Sequence, residues 1–176
     1  MTEPSRIVGG PARPTVVAGG AQTSFEDFFQ REKEGLYGAL CMVTRNRHEA
    51  EELTQDAFVR VLERWDRVAV MDDPRAYLYR TAMNTFRAGY RRTALAARRA
   101  LGVSRPDDAI ADVDAHDTTM RALATLSPRQ RAAVVFTDLL DFPSEQAARM
   151  LGIRAATVRT HVSRAHAALK ETMPHE

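Results

Sequence analysis

Apolar residues recur every three or four positions through most of the chain beyond residue 23, whereas no segment shows a convincing strand-like alternation of apolar and polar residues. A spacing of three or four residues places apolar side chains on one face of a helix. A half-buried strand would instead alternate apolar and polar residues. The sequence therefore predicts an all-α protein. Hydrophobic residues make up 44% of the chain, which is enough apolar material for a folded core.

Residues at the helix ends locate the individual helices. Ser24 is a candidate N-cap, Pro74 and Pro128 stand where a first helical turn tolerates proline, and Gly152 can end a helix in the left-handed conformation. A break at 46–47 ends the first predicted helix, and a loop at 67–73 separates the second from the third. The later predicted helices cover residues 48–65, 74 to beyond 90, 127–140, 144–151 and 155–172.

Composition divides the chain into two helical units, predicted at 23–101 and 118–176. Residues 1–22 are rich in Gly and Pro and are predicted to be a disordered tail. Residues 102–117 contain five Asp and are predicted to be a flexible acidic linker. No run of about 18 apolar residues and no apolar leader is present, so we expect a cytoplasmic protein without membrane insertion.

Basic residues are concentrated in two blocks. Residues 74–106 include eight arginines and no acid, and residues 149–170 include five Lys or Arg and no acid. Exposed helices normally mix both signs, so the blocks indicate two anion-binding surfaces, of which nucleic acid is the best candidate ligand. An ordinary solvated charge run is the alternative for each block.

The second basic block coincides with a helix-turn-helix pattern. A short helix, a turn that contains Gly152 and a longer helix follow one another over 144–172. One face of the last helix mixes small residues, hydroxyls and arginines, which suits a helix that enters the major groove of DNA. An ordinary all-helical domain remains the alternative at this point. The face is formed by Ala156, Arg159, Thr160, Ser163 and Arg164.

The first basic block combines arginines with aromatic residues on the third predicted helix. Arg80, Arg87 and Arg91 share the outward side, and Tyr77 and Tyr90 lie in the same stretch. Arginines that follow a phosphate backbone and aromatic rings that stack on bases are typical of single-stranded nucleic-acid binding.

The second predicted helix has an acidic outward face that would repel DNA. It is either a solubilising surface or the docking face for a basic protein partner. Its outward residues are Glu52, Gln55, Asp56, Val59 and Glu63.

Catalytic and metal sites are not indicated. The five histidines are scattered, Cys41 is the single cysteine, and no phosphate-binding glycine loop or nucleophile motif is present. We therefore expect neither an enzyme nor a cofactor nor a bound metal.

Three segments together resemble the extracytoplasmic-function (ECF) group of the sigma-70 family of bacterial RNA polymerase sigma factors. Residues 49–58 (EAEELTQDAF) resemble its region 2.2, and residues 74–84 (PRAYLYRTAMN) resemble the start of its −10-reading helix. The segments LSPRQR at 126–131, LGI at 151–153 and TVRTHVSRA at 157–165 resemble region 4. The order and spacing of these segments carry the resemblance.

The resemblance implies a transcription initiation factor that directs a polymerase to promoter DNA and opens it. Its partners would be the core enzyme, through the β′ clamp helices and the β flap, promoter DNA and an anti-sigma factor. The acidic face of the second helix would meet polymerase, and the face of the last helix would read the −35 element. The −10 element would be read by the 67–73 loop and the third helix, with Arg67, Tyr77, Arg80, Asn84, Arg87 and Arg91 as contact residues.

The chain departs from the family pattern both near the residues that would contact the −35 element and near those that would contact the −10 element. Arg154, Ala155 and Ala156 replace the usual residues before the recognition helix, Tyr77 replaces a usual Trp, and Ala88 replaces a usual Asp. A stand-alone helix-turn-helix regulator is the main alternative function, and an RNA-binding module that uses the third helix alone is a further one.

Overall fold

The computed structural model describes residues 24–101 and 118–172, with side chains at 24–93 and 119–171. The regular elements in these ranges are all helical, which confirms the all-α prediction. The predicted tail and the predicted acidic linker lie outside the described residues. The helices are α1 (Phe25–Thr44), α2 (Arg47–Leu62), α3 (Trp65–Val68), α4 (Pro74–Leu101), α5 (Thr118–Ala124), α6 (Pro128–Val134), α7 (Ser144–Leu151) and α8 (Ala155–Thr172), with a π-helical turn at Val135–Leu139 after α6. No helix among the described residues is long and apolar enough to cross a bilayer.

In the first unit, which comprises α1 to α4, side-chain caps start α1, α2 and α4. The Ser24 hydroxyl accepts the backbone N–H of Asp27 at 3.0 Å, as predicted for an N-cap. Asn46 caps α2 in the same way, and an oxygen of Asp73 accepts the N–H of Ala76 at the start of α4. α1 packs on α2, and α2 packs on α4 around a buried apolar centre.

The second helix ends earlier than predicted. α2 stops at Leu62, because the backbone N–H of Arg64 bonds the carbonyl of Val61 in a tight three-residue turn. Trp65 then begins the one-turn helix α3, where its ring packs 5.1 Å from that of Phe28. The predicted loop at 67–73 is therefore wrong at its start, since Arg67 lies within α3.

The second unit, α5 to α8, contains the predicted helix-turn-helix. A capping box between Ser127 and Gln130 starts α6, and the backbone then widens into the π-helical turn, where Leu140 N bonds Val135 O at 3.1 Å. α7 ends at Gly152, whose φ of 61° is the predicted left-handed conformation. α8 crosses α7 and α6 as the last helix.

The two units pack against each other, a contact that the sequence did not predict. α4 of the first unit packs on α7 of the second, and Tyr79 is fully buried among second-unit aromatic residues. This contact corrects the predicted faces of α4. Ala76 is buried although helical spacing places it on the same side of α4 as Arg80 and Arg87, and Met83 and Phe86 are buried as well, because α4 is covered on two sides.

Candidate nucleic-acid interface

A polar cleft of about 450 Å³ lies between α2 and α4. It brings together three of the six predicted −10 residues, Tyr77, Arg80 and Asn84. Its lining consists of Arg60, Glu63, Arg64, Tyr77, Arg80, Thr81 and Asn84. Three guanidinium groups face one carboxylate there, so the cleft carries a net positive charge and suits an anion.

Hydrogen bonds hold the walls of the cleft in place. Arg60 Nη1 donates to the Thr85 hydroxyl at 2.8 Å, and Arg64 Nη1 donates to the Tyr77 hydroxyl at 3.5 Å. Each of these bonds joins α2 or its end to α4. The Tyr77 ring is half-buried, so one part packs on the protein while the remainder is available for stacking.

Arg60, Arg64 and Thr81 line the cleft but were missed from the sequence. The signal that could have found the two arginines is their spacing of four within the predicted helix at 48–65, which places them on one side at the end of an otherwise acidic segment. Glu63, predicted as a polymerase contact, also lies on this cleft.

The other predicted −10 residues lie outside the cleft lining. Arg67 on α3 and Arg91 on α4 are exposed. Arg87 was predicted to point outward but is half-buried and turned toward the second unit. Its Nη1 donates to the carbonyl of Leu151, and its Nη2 donates to Asn84 Oδ1 at 2.5 Å. This orientation follows from the packing of α7 on α4.

Burial is the main reason why the pKa of Arg87 is lowered. The neighbouring cations Arg91, Arg80 and Arg129 lower that pKa further. Arg129 belongs to α6, so positive charge from both units converges near this guanidinium.

The predicted −35 residues form one exposed face on α8. Ala156, Arg159, Thr160, Ser163 and Arg164 are all exposed, and the opposite side of α8 is anchored by buried Val158 and Ala165. Arg159 Nη1 pairs with Glu145 of α7 at 3.2 Å, which orients the guanidinium across the helix-turn-helix. The face is therefore open to solvent, and the buried residues Val158 and Ala165 determine the side of α8 on which it lies.

An open groove of about 640 Å³ runs beside this face. His166 and Asp138 pair across it at 2.5 Å and connect α8 to the π-helical turn. The groove is lined by Thr137, Asp138, Ser144, Arg159, Val162, Ser163, His166, Ala167 and Lys170.

His161 lies on α8 beside these residues and is half-buried. Burial lowers its pKa, and the positive charges of Arg129 and Arg164 lower that pKa further. Its imidazole is therefore held in the neutral form more strongly than that of an ordinary histidine.

The outward face of α2 is exposed as predicted, with an apolar centre. Glu52, Gln55, Asp56, Val59 and Glu63 are all exposed. Val59 is 54% exposed, and beside it Leu62 is 53% exposed and was missed from the sequence. Acidic and amide groups surround this pair of aliphatic side chains.

Within the part of the chain that the structure describes, no group of three or more His, Cys, Asp or Glu side chains is placed to hold a metal ion.

Two family models match the chain. Residues 28–95 match Sigma-70 region 2, and residues 116–169 match Sigma-70, region 4. Among curated proteins, the RNA polymerase sigma-E factor of Streptomyces avermitilis is 30% identical over 166 residues, which cover 89% of each chain. The ECF RNA polymerase sigma factor SigM of Mycobacterium tuberculosis is 28% identical over 151 residues, covering 85% of this chain and 77% of the relative.

Two solved structures share the fold. One is the sigma factor RpoE of Bartonella quintana in complex with the anti-sigma factor NepR, with a TM-score of 0.69 and 24% identity over 84% of this chain and 94% of that one. The other is CnrH in complex with the cytosolic domain of CnrY, with a TM-score of 0.59 and 22% identity over 87% and 89% of the two chains.

Proposed function

The chain belongs to the ECF group of the sigma-70 family, and from this premise we propose that it joins bacterial core RNA polymerase and directs it to promoter DNA. Promoter recognition is the function that the two matched regions and the sigma-factor relatives support. The observation that carries the detailed proposal is that two basic surfaces and one acidic-apolar surface occur on different helices of the same chain.

We assign the cleft between α2 and α4 to one nucleotide of the melted −10 element. The ring of Tyr77 offers a stacking surface, and Arg60, Arg64 and Arg80 offer positive charge for the phosphate. Taking a base out of the duplex costs a few kcal/mol, which stacking and phosphate contacts of this kind offset. Asn84 at the edge of the cleft has amide groups that can read the edge of the base.

We assign the exposed face of α8 to the −35 element. The small side chain of Ala156 allows close approach to the groove, while Arg159 and Arg164 reach a guanine edge or a phosphate. Thr160 donates its hydroxyl to the carbonyl of Ala156 at 2.9 Å, so Ser163 is the freer hydroxyl for a DNA contact.

We assign the outward face of α2 to core polymerase. Exposed apolar side chains inside a polar rim are typical of the centre of a protein interface. Val59 and Leu62 form such a centre, and Glu52, Gln55 and Asp56 form the acidic rim that a basic partner surface would complement.

An anti-sigma factor is a further proposed partner. The RpoE structure is a complex with an anti-sigma factor, and the CnrH structure is a complex with the cytosolic domain of CnrY. A stand-alone regulator needs no acidic-apolar surface of this kind, and no observation on the structure favours it.

Run-off transcription tests the proposed function. Core polymerase is combined with the purified chain and fragmented genomic DNA of the source organism, and the transcript starts are mapped. We expect starts at a shared upstream sequence with two separated elements, only when the chain is present. A chain with Val59→Glu and Leu62→Glu is the matched control, and it should lose these starts while remaining folded. Identical starts with and without the chain would contradict the proposal.

A further inference from the structure

The helix α4 is longer than the core of the first unit. It extends over Pro74–Leu101, which is 28 residues and about 42 Å at roughly 1.5 Å per residue. Among its described side chains, which end at residue 93, the last buried one is Phe86. Arg91 and Arg92, which follow it, are exposed. The part of α4 after Phe86 therefore leaves the core.

This later part of α4 is strongly basic. Residues 87–101 include five arginines and no acid. Neither Arg91 nor Arg92 forms an ion pair with any residue that the structure describes. Arg87 and Arg91 are four positions apart, a spacing at which like charges on a helix destabilise it. A polyanionic partner would therefore stabilise this part of α4.

Ala88 leaves both exposed arginines without a counter-charge. It precedes Arg91 by three positions and Arg92 by four, the two spacings at which side chains meet on a helix. A carboxylate at position 88 would pair with either guanidinium, and the family pattern usually has Asp there. The methyl side chain of Ala88 is short and only half-buried. A partner can therefore approach this side of α4 closely while both cations stay available.

Helical geometry places Arg91 on the same side of α4 as the cleft. At about 100° per residue, Arg91 lies within roughly 20° of Arg80 and Asn84, which line that cleft. Seven positions separate Asn84 from Arg91, which is about 10 Å along the helix axis. This distance equals the rise of about three base pairs of duplex DNA at ~3.4 Å per pair. Arg91 and its neighbour Arg92 therefore lie about three base pairs from the base that we assign to the cleft.

Chain order determines on which side of the cleft these arginines meet DNA. Residues 102–117 connect α4 to the second unit and reach at most about 58 Å when fully extended. The −10 and −35 elements lie about 85 Å apart on duplex DNA at ~3.4 Å per base pair. With both elements bound, the part of α4 from Asn84 to Leu101 leaves a gap of about 60 Å if it points toward the −35 element and about 110 Å if it points away. Only the first gap can be bridged, because the width of the second unit adds to the reach, so Arg91 and Arg92 lie upstream of the cleft.

We propose that Arg91 and Arg92 form a third DNA-contact surface, which binds backbone phosphates of the double-stranded DNA immediately upstream of the base in the cleft. This inference rests on the proposed function and adds a binding site to it. Phosphate contacts fix the position of a protein on DNA and carry no base sequence. The surface therefore strengthens the complex on every promoter alike. It also gives a role to Arg91, which lies outside the lining of the cleft.

Promoter fragments with single neutral phosphates test this contact. Each fragment of one mapped promoter carries one methylphosphonate, placed at successive backbone positions upstream of the first unpaired base on either strand, and open complexes with the holoenzyme are titrated on each. We expect one or two sensitive positions about three base pairs upstream, where affinity falls roughly two- to fivefold, as for loss of an exposed ion pair. Equal affinity at all upstream positions would overturn the proposal.

Two variants test whether the sensitive phosphates belong to these arginines. Arg91→Ala combined with Arg92→Ala removes both charges, whereas Ala88→Asp keeps both and supplies a carboxylate that pairs with them. In either variant the sensitive positions should become insensitive, and the dependence of affinity on salt should fall by roughly one unit per lost phosphate contact. Gln30→Asp adds the same negative charge at an exposed position of α1 and should keep the wild-type profile. Undiminished sensitivity in both variants would overturn the assignment.

The titration separates failure of this surface from failure of the proposed function. The phosphate profile uses the unaltered chain in the holoenzyme, so it does not depend on the folding of any variant. A holoenzyme that opens the promoter with no sensitive upstream phosphate would exclude the third surface and leave the proposed function intact. A wild-type chain that opens no promoter with core polymerase would contradict the proposed function and, with it, this inference.

Discussion

Arg131 of α6 donates its Nη1 to the backbone carbonyl of Val43 in α1 at 2.9 Å, so one buried guanidinium joins the two units of the chain. Its Nε and Nη2 donate to the carbonyls of Leu123 and Leu126, each at 2.9 Å. With 7% of its surface exposed, this cation is enclosed by acceptors from three segments. A buried charge held in this way is a strong determinant of local structure.

Arg131→Met should lower the free energy of unfolding by roughly 2–4 kcal/mol, because three buried carbonyls lose a charged donor. Chemical denaturation of the whole chain measures this change. Arg129→Met is the control, since Arg129 is exposed on the same helix and should change stability by less than about 0.5 kcal/mol. Equal effects of the two variants would contradict the assigned role of Arg131.

Arg64→Ala and Arg80→Ala should each weaken open-complex formation by the holoenzyme, because each removes a positive charge from the cleft. The dependence of the observed affinity on salt should fall by roughly one unit per lost phosphate contact. Titration of open complexes against salt measures the slope. Arg47→Ala, at the exposed start of α2, should leave it unchanged. An unaltered slope for both cleft variants would exclude a phosphate contact there.

Arg159→Ala should weaken the −35 interaction by about 1–3 kcal/mol if its guanidinium reads a base, and its effect should depend on the base at one position of the element. Competition among promoter variants, each bound by the holoenzyme, measures this dependence. Lys170→Ala, further along α8, should reduce affinity equally for all variants. A uniform loss for Arg159→Ala would assign that residue to phosphate contact instead.

Val59→Ser should reduce affinity for core polymerase at least fivefold if Val59 is one of the few central contacts that carry the binding energy, since truncating such a contact costs more than about 1 kcal/mol. The side chain is already 54% exposed, so the free chain should keep its stability. Fluorescence titration of labelled chain with core polymerase gives the affinity. Val70→Ser makes the same change at another exposed valine, outside α2, and should have little effect on this titration.

His161 should make the protein less stable in mild acid. Its pKa is lowered in the folded chain, so unfolding takes up a proton, and the free energy of unfolding falls as pH drops below the usual histidine pKa of about 6.5. His161→Gln should therefore show a smaller loss of stability between pH 7 and 5, measured by denaturation at each pH. The exposed His48 gives the matched His48→Gln control, and an identical acid loss in His161→Gln and the wild type would refute this role.

The helix ends were predictable because they depend on local chemistry. The hydroxyl of Ser24 and the positive φ of Gly152 act within one turn, so their residue types indicate their conformations directly. The outward faces of α2 and α8 followed from helical periodicity for the same reason. The end of α2 was misplaced because Trp65 continues the apolar spacing, although the chain has already changed direction at Arg64.

The contact between the units was not predictable, because the type of an apolar residue does not indicate which surface it will pack against. Tyr79, Phe136 and Phe142 could each have belonged to the core of its own unit. Arg87 resembled the other arginines of the first basic block, nothing in the sequence marked Arg131 as buried, and only long-range packing turned both side chains inward. The same packing moved Arg87 away from the cleft to which its helical spacing had assigned it.

The most direct test of promoter recognition by a polymerase subunit is footprinting of one mapped promoter by the chain alone, by core polymerase alone and by both together. We predict protection of the −10 and −35 elements, with reactive unpaired bases near −10, only when both proteins are present. Specific protection by the isolated chain, unchanged when core polymerase is added, would contradict the account.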